Sequence, residues 1–259
     1  MPPQIELFLI GIGTGNPDHL TLQAIRTLNR ADLILIPRKG GAKADLAELR
    51  HVILNDVLTA PARIAEFDLP ERDPAIPDYK ARVEAWHDAI ALVWAETITA
   101  HAADTATGST PLGVALLVWG DPSLYDSTLR IAARLSPPPR ITVIPGITSL
   151  QGLTAGHRIP LNDLAGAVTI TTGRNLRDHG WPPGASRIAV MLDGDCAFQT
   201  LPPEGVHIWW GAYVGMPQEH LIEGPLRDAA PRIIADRARL RTAHGWIMDI
   251  YILSRAESP

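Results

Sequence analysis

A single cysteine, Cys196, stands in a chain of 259 residues. That excludes an intramolecular disulfide framework and any CxxC metal or redox pair. Cys196 itself reads as a small buried hydrophobe rather than a nucleophile. The nine histidines are scattered, with no HExxH and no paired-His spacing, so no metal site is expected. Cationic excess is missing too: 23 Lys and Arg face 28 Asp and Glu, a formal net charge of −5 at pH 7. This balance offers a polyanion no electrostatic incentive, and nucleic acid is not an expected partner. No run of 18 apolar residues occurs, and the opening MPPQIELFLIG carries no basic segment ahead of its short apolar run. Neither a membrane span nor a signal peptide is expected, and a reducing, cytoplasmic location is the default. There is no Gly-Lys pair, which removes a Walker A loop, and no internal repeat or low-complexity segment.

What is present suits a well-packed α/β protein: 46% hydrophobic and 20% charged residues. Residues 5–10 form a short apolar run bounded by glycine, as a buried strand does. A helical pattern with Leu22, Ile25 and Leu28 on one face follows, capped by Asp18 or Thr21. Residues 31–37 give a second strand, stopped by Pro37, and the βαβ unit implies parallel pairing. Residues 43–54 read as a helix and Pro61 to Pro77 as a surface loop. A long helix over 78–101 carries Tyr79, Val83, Trp86, Ile90, Val93, Trp94 and Ile98 at steps of four and three. A loop follows over 102–111. Strands are expected at 113–120 and 141–146, with a short helix over 127–135 between them. The pattern then changes. Strand candidates at 167–173, 187–194, 206–215 and 246–253 have few long helices between them, which suggests a second, mixed α/β domain. The expected division is 1–158 and 159–259.

Three glycine-bearing segments follow apolar runs: GIGTGNP from Gly11, WGDPSLYD from Trp119 and PGITS from Pro145. Ligands of parallel α/β sheets bind beyond the carboxyl ends of the strands, so three such loops imply one crevice. The first loop is not a dinucleotide fingerprint. GxGxxG anchored at Gly11 needs glycine where Asn16 stands, and anchored at Gly13 it needs one where Asp18 stands. The second strand ends in Pro37 and Arg38, with no acid to grip a ribose. Taken alone, GIGTGNP reads equally as a strained turn that needs glycine for φ > 0 and close packing. Asp121 either caps a turn or accepts hydrogen bonds from a ligand.

GIGTGNPDHLT followed by Ala31 and Asp32, then GDPSLY and PGITS in that order, resembles the signatures of the tetrapyrrole (cobalamin and siroheme) methyltransferases. The resemblance spans essentially the whole chain. It implies the two-domain architecture of class III S-adenosylmethionine (SAM)-dependent methyltransferases, with the active cleft between two α/β domains. It further implies SAM contacts at Thr14, Gly120, Asp121, Leu124, Thr148, Ser149, Met191 and the stretch Ala212, Tyr213, Val214. The finer pattern WGDPSLYDSTLR, with IPRKG upstream, resembles the branch that methylates precorrin-5 at C1 with loss of an acetyl group. That makes a tetrapyrrole, precorrin-5, the expected substrate, and a homodimer the expected assembly. Trp209 and Trp210 fit either a dimer interface or the core.

The chain departs from the family where Thr14 replaces a frequent proline. It departs again where Arg38 and Lys39 stand in place of an acidic residue. The two cations are either a solvated pair or a grip on substrate carboxylates. Tyr125, Asp126 and Asp193 are the candidates for proton transfer during deacetylation. Competing readings are a sister precorrin methylase acting at another carbon, a family member acting on protein or RNA, and a non-catalytic protein that binds SAM or a tetrapyrrole. A nicotinamide-dependent dehydrogenase ranks behind all of these.

Overall fold

The computed structural model describes residues 4–38, 44–102 and 111–255. The chain divides into two compact units, Met1–Thr148 and Ser149–Pro259.

The first unit holds β1 (Ile5–Gly11), α1 (Leu22–Leu28), β2 (Leu33–Arg38), α2 (Ala44–Val57), β3 (Ile64–Asp68), α3 (Tyr79–Ala102), β4 (Leu112–Val118), α4 (Thr128–Ala132) and β5 (Arg140–Ile144). Its sheet runs β3-β2-β4-β1-β5, and every pair is parallel. Alternation along the strands sorts two cores. Leu7, Leu9, Leu33, Leu35, Val114 and Leu116 meet Ile90, Trp94 and Ile98 of α3 and Ile131 of α4 on one face. Phe8, Ile10, Ile34, Ile36, Ala115 and Leu117 meet Ala24 and Leu28 of α1 and Ile53 and Leu54 of α2 on the other. Strands covered on both faces read as unbroken apolar runs, which is why β1, β2 and β4 are plain in the sequence.

Several local expectations change. Between Pro17 and His19 a 3-10 turn precedes α1, and Thr21 is the cap, its Oγ1 accepting from Ala24 N at 3.1 Å. Pro37 does not stop β2, which continues to Arg38. Pairing with β4 ends at Leu35, so at Pro37 the strand has only β3 beside it and the missing N–H costs no ladder bond on the other side. The stretch 61–77 is not all loop, since β3 lies within it, burying Ala65 and Phe67 between exposed Glu66 and Asp68. On α3, Tyr79 is 52% exposed, and the helix buries His87 instead.

Neither ring nitrogen of His87 has a hydrogen-bond partner. Burial, and after it the charge of Arg134, holds the imidazole below the usual histidine value. The folded state therefore keeps it neutral, whereas the unfolded chain protonates near pH 6.5. Stability is full above that pH and declines as the pH falls below it. His87→Leu is expected to flatten this slope and to add about 1 kcal/mol, since it removes buried unsatisfied groups. Urea titrations at pH 7.5 and 5.5 read both effects.

The second unit holds α5 (Ser149–His157), β6 (Val168–Thr172), α6 (Gly173–His179), β7 (Arg187–Met191), β8 (Val206–Ala212), β9 (His220–Pro225), α7 (Leu226–His244) and β10 (Asp249–Arg255). The sheet order is β6-β7-β10-β8-β9, with β6 and β7 parallel and the other pairs antiparallel. Beyond the four expected strands there are β9 and the long helix α7. Helix α5 packs on β8 and β10, and His157 Nε2 donates to the Trp210 carbonyl at 3.0 Å. The helix therefore goes with the second unit, and the expected boundary at 158 falls at its C-terminal end. Trp210 is fully buried and donates to Asp249 Oδ2 at 3.0 Å, while Trp209 lies against His207 and beneath the Arg187 guanidinium.

Candidate active site

In the first unit β1 and β4 are neighbours, yet the chain leaves them toward opposite faces, to α1 and to α4 respectively. Diverging connections at adjacent parallel strands open a crevice at their carboxyl ends. The loops after β4, β1 and β5 meet there. Ile12 N donates to the Val118 carbonyl at 2.9 Å, and Gly13 and Gly120 exchange backbone bonds at 3.3 and 2.7 Å as an isolated antiparallel bridge. Gly13 and Gly120 have φ of 74° and 63°, the left-handed region that glycine enters without strain. Behind them Gly11, Gly120 and Gly146 press backbone on backbone. A Cβ on Gly146 would lie 2.1 Å from the Gly120 carbonyl oxygen and 2.7 Å from the Gly11 carbonyl carbon.

Asp121 joins two of these loops. Its Oδ2 accepts from Gly146 N at 2.9 Å, and its Oδ1 accepts from Ser123 N at 2.8 Å and Ser123 Oγ at 2.5 Å. Burial alone would push this carboxyl up, but the bonds from Ser123 and Gly146 outweigh it and hold the group below its ordinary value. It is ionised at neutral pH. Leu124 N donates to the Asp121 carbonyl at 3.2 Å, which leaves the Leu124 side chain half-buried on the same loop. Thr14 is buried, its Oγ1 3.1 Å from His19 Nδ1. Thr148 ends the third loop beside Gly120, whose added Cβ would lie 3.8 Å from the Thr148 Cα. The expected first-unit contacts Thr14, Gly120, Asp121, Leu124 and Thr148 thus sit on three converging loops.

The proton-transfer candidates part company. Tyr125 follows on the same loop at φ 50° and is exposed over 43% of its surface; partial desolvation raises its pKa, so it stays protonated at neutral pH. Asp126 Oδ1 accepts from Thr128 N at 2.6 Å and from Thr128 Oγ1, bracing the start of α4. Asp193 lies in the second unit and is buried. It accepts from Ala197 N at 2.6 Å, Asp195 N at 3.1 Å and the Tyr251 hydroxyl at 2.6 Å. Stripping a buried carboxylate from three donors costs about 3 kcal/mol. Asp193→Ala is accordingly expected to lower unfolding free energy by that much, read by urea titration.

Arg38 is half exposed and already paired. Its Nε and Nη2 meet Asp68 at 3.1 and 3.2 Å, and its Nη1 lies 3.5 Å from Glu66. Lys39 lies outside the described residues. One cation escaped sequence reasoning. Arg50 is buried, donates Nε to the Leu117 carbonyl at 3.4 Å and holds its guanidinium 4.9 Å from the Trp119 ring centroid. Burial lowers its pKa to about 10, and the charge of Asp126 works the other way. The signal was its spacing, three and four residues before Ile53 and Leu54 on the core stripe of α2.

In the second unit Met191 ends β7 and Ala212 ends β8. Antiparallel β10 begins between them at Asp249, so both lie at one end of the sheet. Ser149 opens α5. Tyr213 turns inward at φ 52° and donates its hydroxyl to the Trp246 carbonyl, with Val214 buried beside it. Cys196 is buried too, and burial pushes its thiol up to about 11, which rules it out as a nucleophile at neutral pH. Among the described residues no group of three His, Cys, Asp or Glu is arranged to hold a metal, and no helix is long and apolar enough to cross a membrane.

Against known proteins, the family described as Tetrapyrrole (Corrin/Porphyrin) Methylases matches residues 6–230. The chain belongs to the tetrapyrrole methylases. This methylase is 43% identical over 255 residues to a Sinorhizobium protein named precorrin-6A synthase [deacetylating], an alignment covering 96% of this chain and 95% of that one. Its fold matches a cobalamin-synthesis-related protein (CobF) of Corynebacterium diphtheriae with TM-score 0.76 and 38% identity, over 97% of this chain and 99% of the other. A uroporphyrin-III C-methyltransferase of Thermus thermophilus, crystallised with S-adenosylhomocysteine, shares the fold at TM-score 0.53 and 18% identity, over 96% and 92% of the two chains.

Proposed function

We propose that this methylase transfers the methyl group of SAM to C1 of precorrin-5 and releases the acetyl group as acetate, giving precorrin-6A. The observation that carries the reading is the near end-to-end 43% identity with the Sinorhizobium precorrin-6A synthase. The first unit's chemistry agrees with it. Three loops packed backbone on backbone at Gly11, Gly120 and Gly146 converge at the carboxyl end of the sheet, and the ionised Asp121 keeps two of those loops together.

SAM supplies an already activated methyl, so the step needs alignment with an electron-rich ring carbon more than a strong base. In this reading Thr14, Gly120, Leu124 and Thr148 position the cofactor, and Asp121 acts by holding their loops. Ser149, Met191 and the Ala212–Val214 stretch are the second unit's proposed contacts, carried by the family resemblance. Asp126 and Asp193 are committed to backbone and hydroxyl donors. Acetate release adds water to the acetyl carbonyl and breaks its bond to C1, leaving the electron pair on the ring carbon that takes the methyl group. Tyr125 keeps its proton and is the group proposed to donate to the acetyl carbonyl oxygen as water adds. Substrate carboxylates reach Arg38 only by competing with Asp68. A homodimer belongs to the same proposal and is read by sedimentation.

Incubation of the purified protein with methyl-labelled SAM and precorrin-5 tests the reading. Label on C1 with acetate in equal amount supports it. Label on another ring carbon would point to a sister methylase, and binding without transfer to a non-catalytic protein.

A further inference from the structure

The segment from Trp119 to Asp126 is held at its start by one side chain that lies outside it in sequence. Arg50 comes from α2 and is buried. Its Nε donates to the carbonyl of Leu117, the last residue but one of β4, just before the segment starts. Its guanidinium stacks 4.9 Å from the centroid of the Trp119 ring. At the far end, the charge of Asp126 acts on the same guanidinium, while Asp126 itself is pinned by Thr128 N at 2.6 Å. The Trp119 indole N–H is buried and has no hydrogen-bond partner. Stacking, and not a bond of its own, therefore orients that ring at the point where the chain turns into Gly120 and Asp121.

We infer that Arg50 is a positioning residue which sets the shape of the 119–126 loop for cofactor binding. The inference rests on the SAM-binding reading above. It calls for a guanidinium specifically: a flat delocalised cation covers an indole face while still donating sideways to a carbonyl, and an ammonium does only one of these.

The test compares Arg50→Lys, Arg50→Met and Asp126→Asn with the parent by hydrogen exchange without ligand, and by SAM titration and steady-state kinetics. Both Arg50 variants are expected to speed exchange of the 119–126 amides about tenfold, on the scale of a lost stacked cation. Asp126→Asn is expected to do so more weakly, with β1 amides unchanged in all three. The KM for SAM is expected to rise about tenfold in Arg50→Lys while kcat moves less than twofold, a split that general loosening of the fold would not produce. Unchanged exchange over 119–126 in both Arg50 variants would overturn the inference. So would loss of protection across the whole unit in all three variants, which would make Arg50 a residue of the fold. Failure of the parent protein to bind SAM would instead sink the SAM reading, and the ligand-free exchange would still decide what Arg50 does to the loop.

Discussion

Gly146→Ala is expected to abolish SAM binding and to cost the fold about 3 kcal/mol, the upper part of the range for overpacking a close-packed site. The added Cβ would meet the Gly120 carbonyl oxygen at 2.1 Å and the Gly11 carbonyl carbon and Cα at 2.7 and 2.8 Å. All of these atoms are backbone, so no side-chain rotation relieves the clash. The loops after β1, β4 and β5 would have to separate, which breaks the Gly13–Gly120 bridge and the Asp121–Gly146 bond together. Gly194→Ala is the control: nothing lies within 4 Å of its added Cβ, and stability is expected to stay within about 0.5 kcal/mol. Calorimetric SAM titration and urea unfolding of both variants check this. Near-parental affinity in Gly146→Ala would contradict the account of the three loops.

The second large effect is at Asp121. Asp121→Asn keeps the shape of the side chain but removes its charge. With Oδ1 still accepting from Ser123, it turns an amide N–H toward Gly146 N–H, donor against donor. Bonds to a charged acceptor contribute about 1.5–3 kcal/mol, so a loss of about 2 kcal/mol is expected, with SAM affinity down at least tenfold as the second and third loops part. A pH signature separates this from simple mispacking. The folded carboxyl sits below its ordinary value, so its stabilisation is complete above about pH 4 and is lost as the pH falls through the folded value. The parent should therefore lose stability more steeply than Asp121→Asn below pH 4 in acid titrations followed by circular dichroism.

The elements that read most clearly in the chain are those whose pattern is local. β1 and β4 are apolar runs because both faces are covered, and α3 keeps its buried stripe from His87 to Ile98. β3 was hidden because only Ala65 and Phe67 are buried between acids in a proline-flanked stretch. α7 was hidden because its 19 residues bury only Leu226, Ala229, Ile233 and Leu240 and contain Pro231, which marks a helix break in most contexts. At the site, the glycine positions were legible, since close backbone approach demands that residue type. The partners were not. Asp121 reaches Gly146 across 25 residues and Asp193 meets Tyr251 across 58, and no local spacing encodes either. Arg50 finds its partners 67 and 69 residues away, its bond to Leu117 and its stack on Trp119 forming only when α2 packs against the sheet.

The reaction couples methyl transfer to C1 with loss of acetate, and a single labelled incubation tests that coupling most directly. With precorrin-5 and SAM carrying a carbon-13 methyl group, the account predicts one new methyl resonance on C1, with S-adenosylhomocysteine and acetate released in equal amounts. A methyl group on any other carbon, or transfer without acetate, would contradict it.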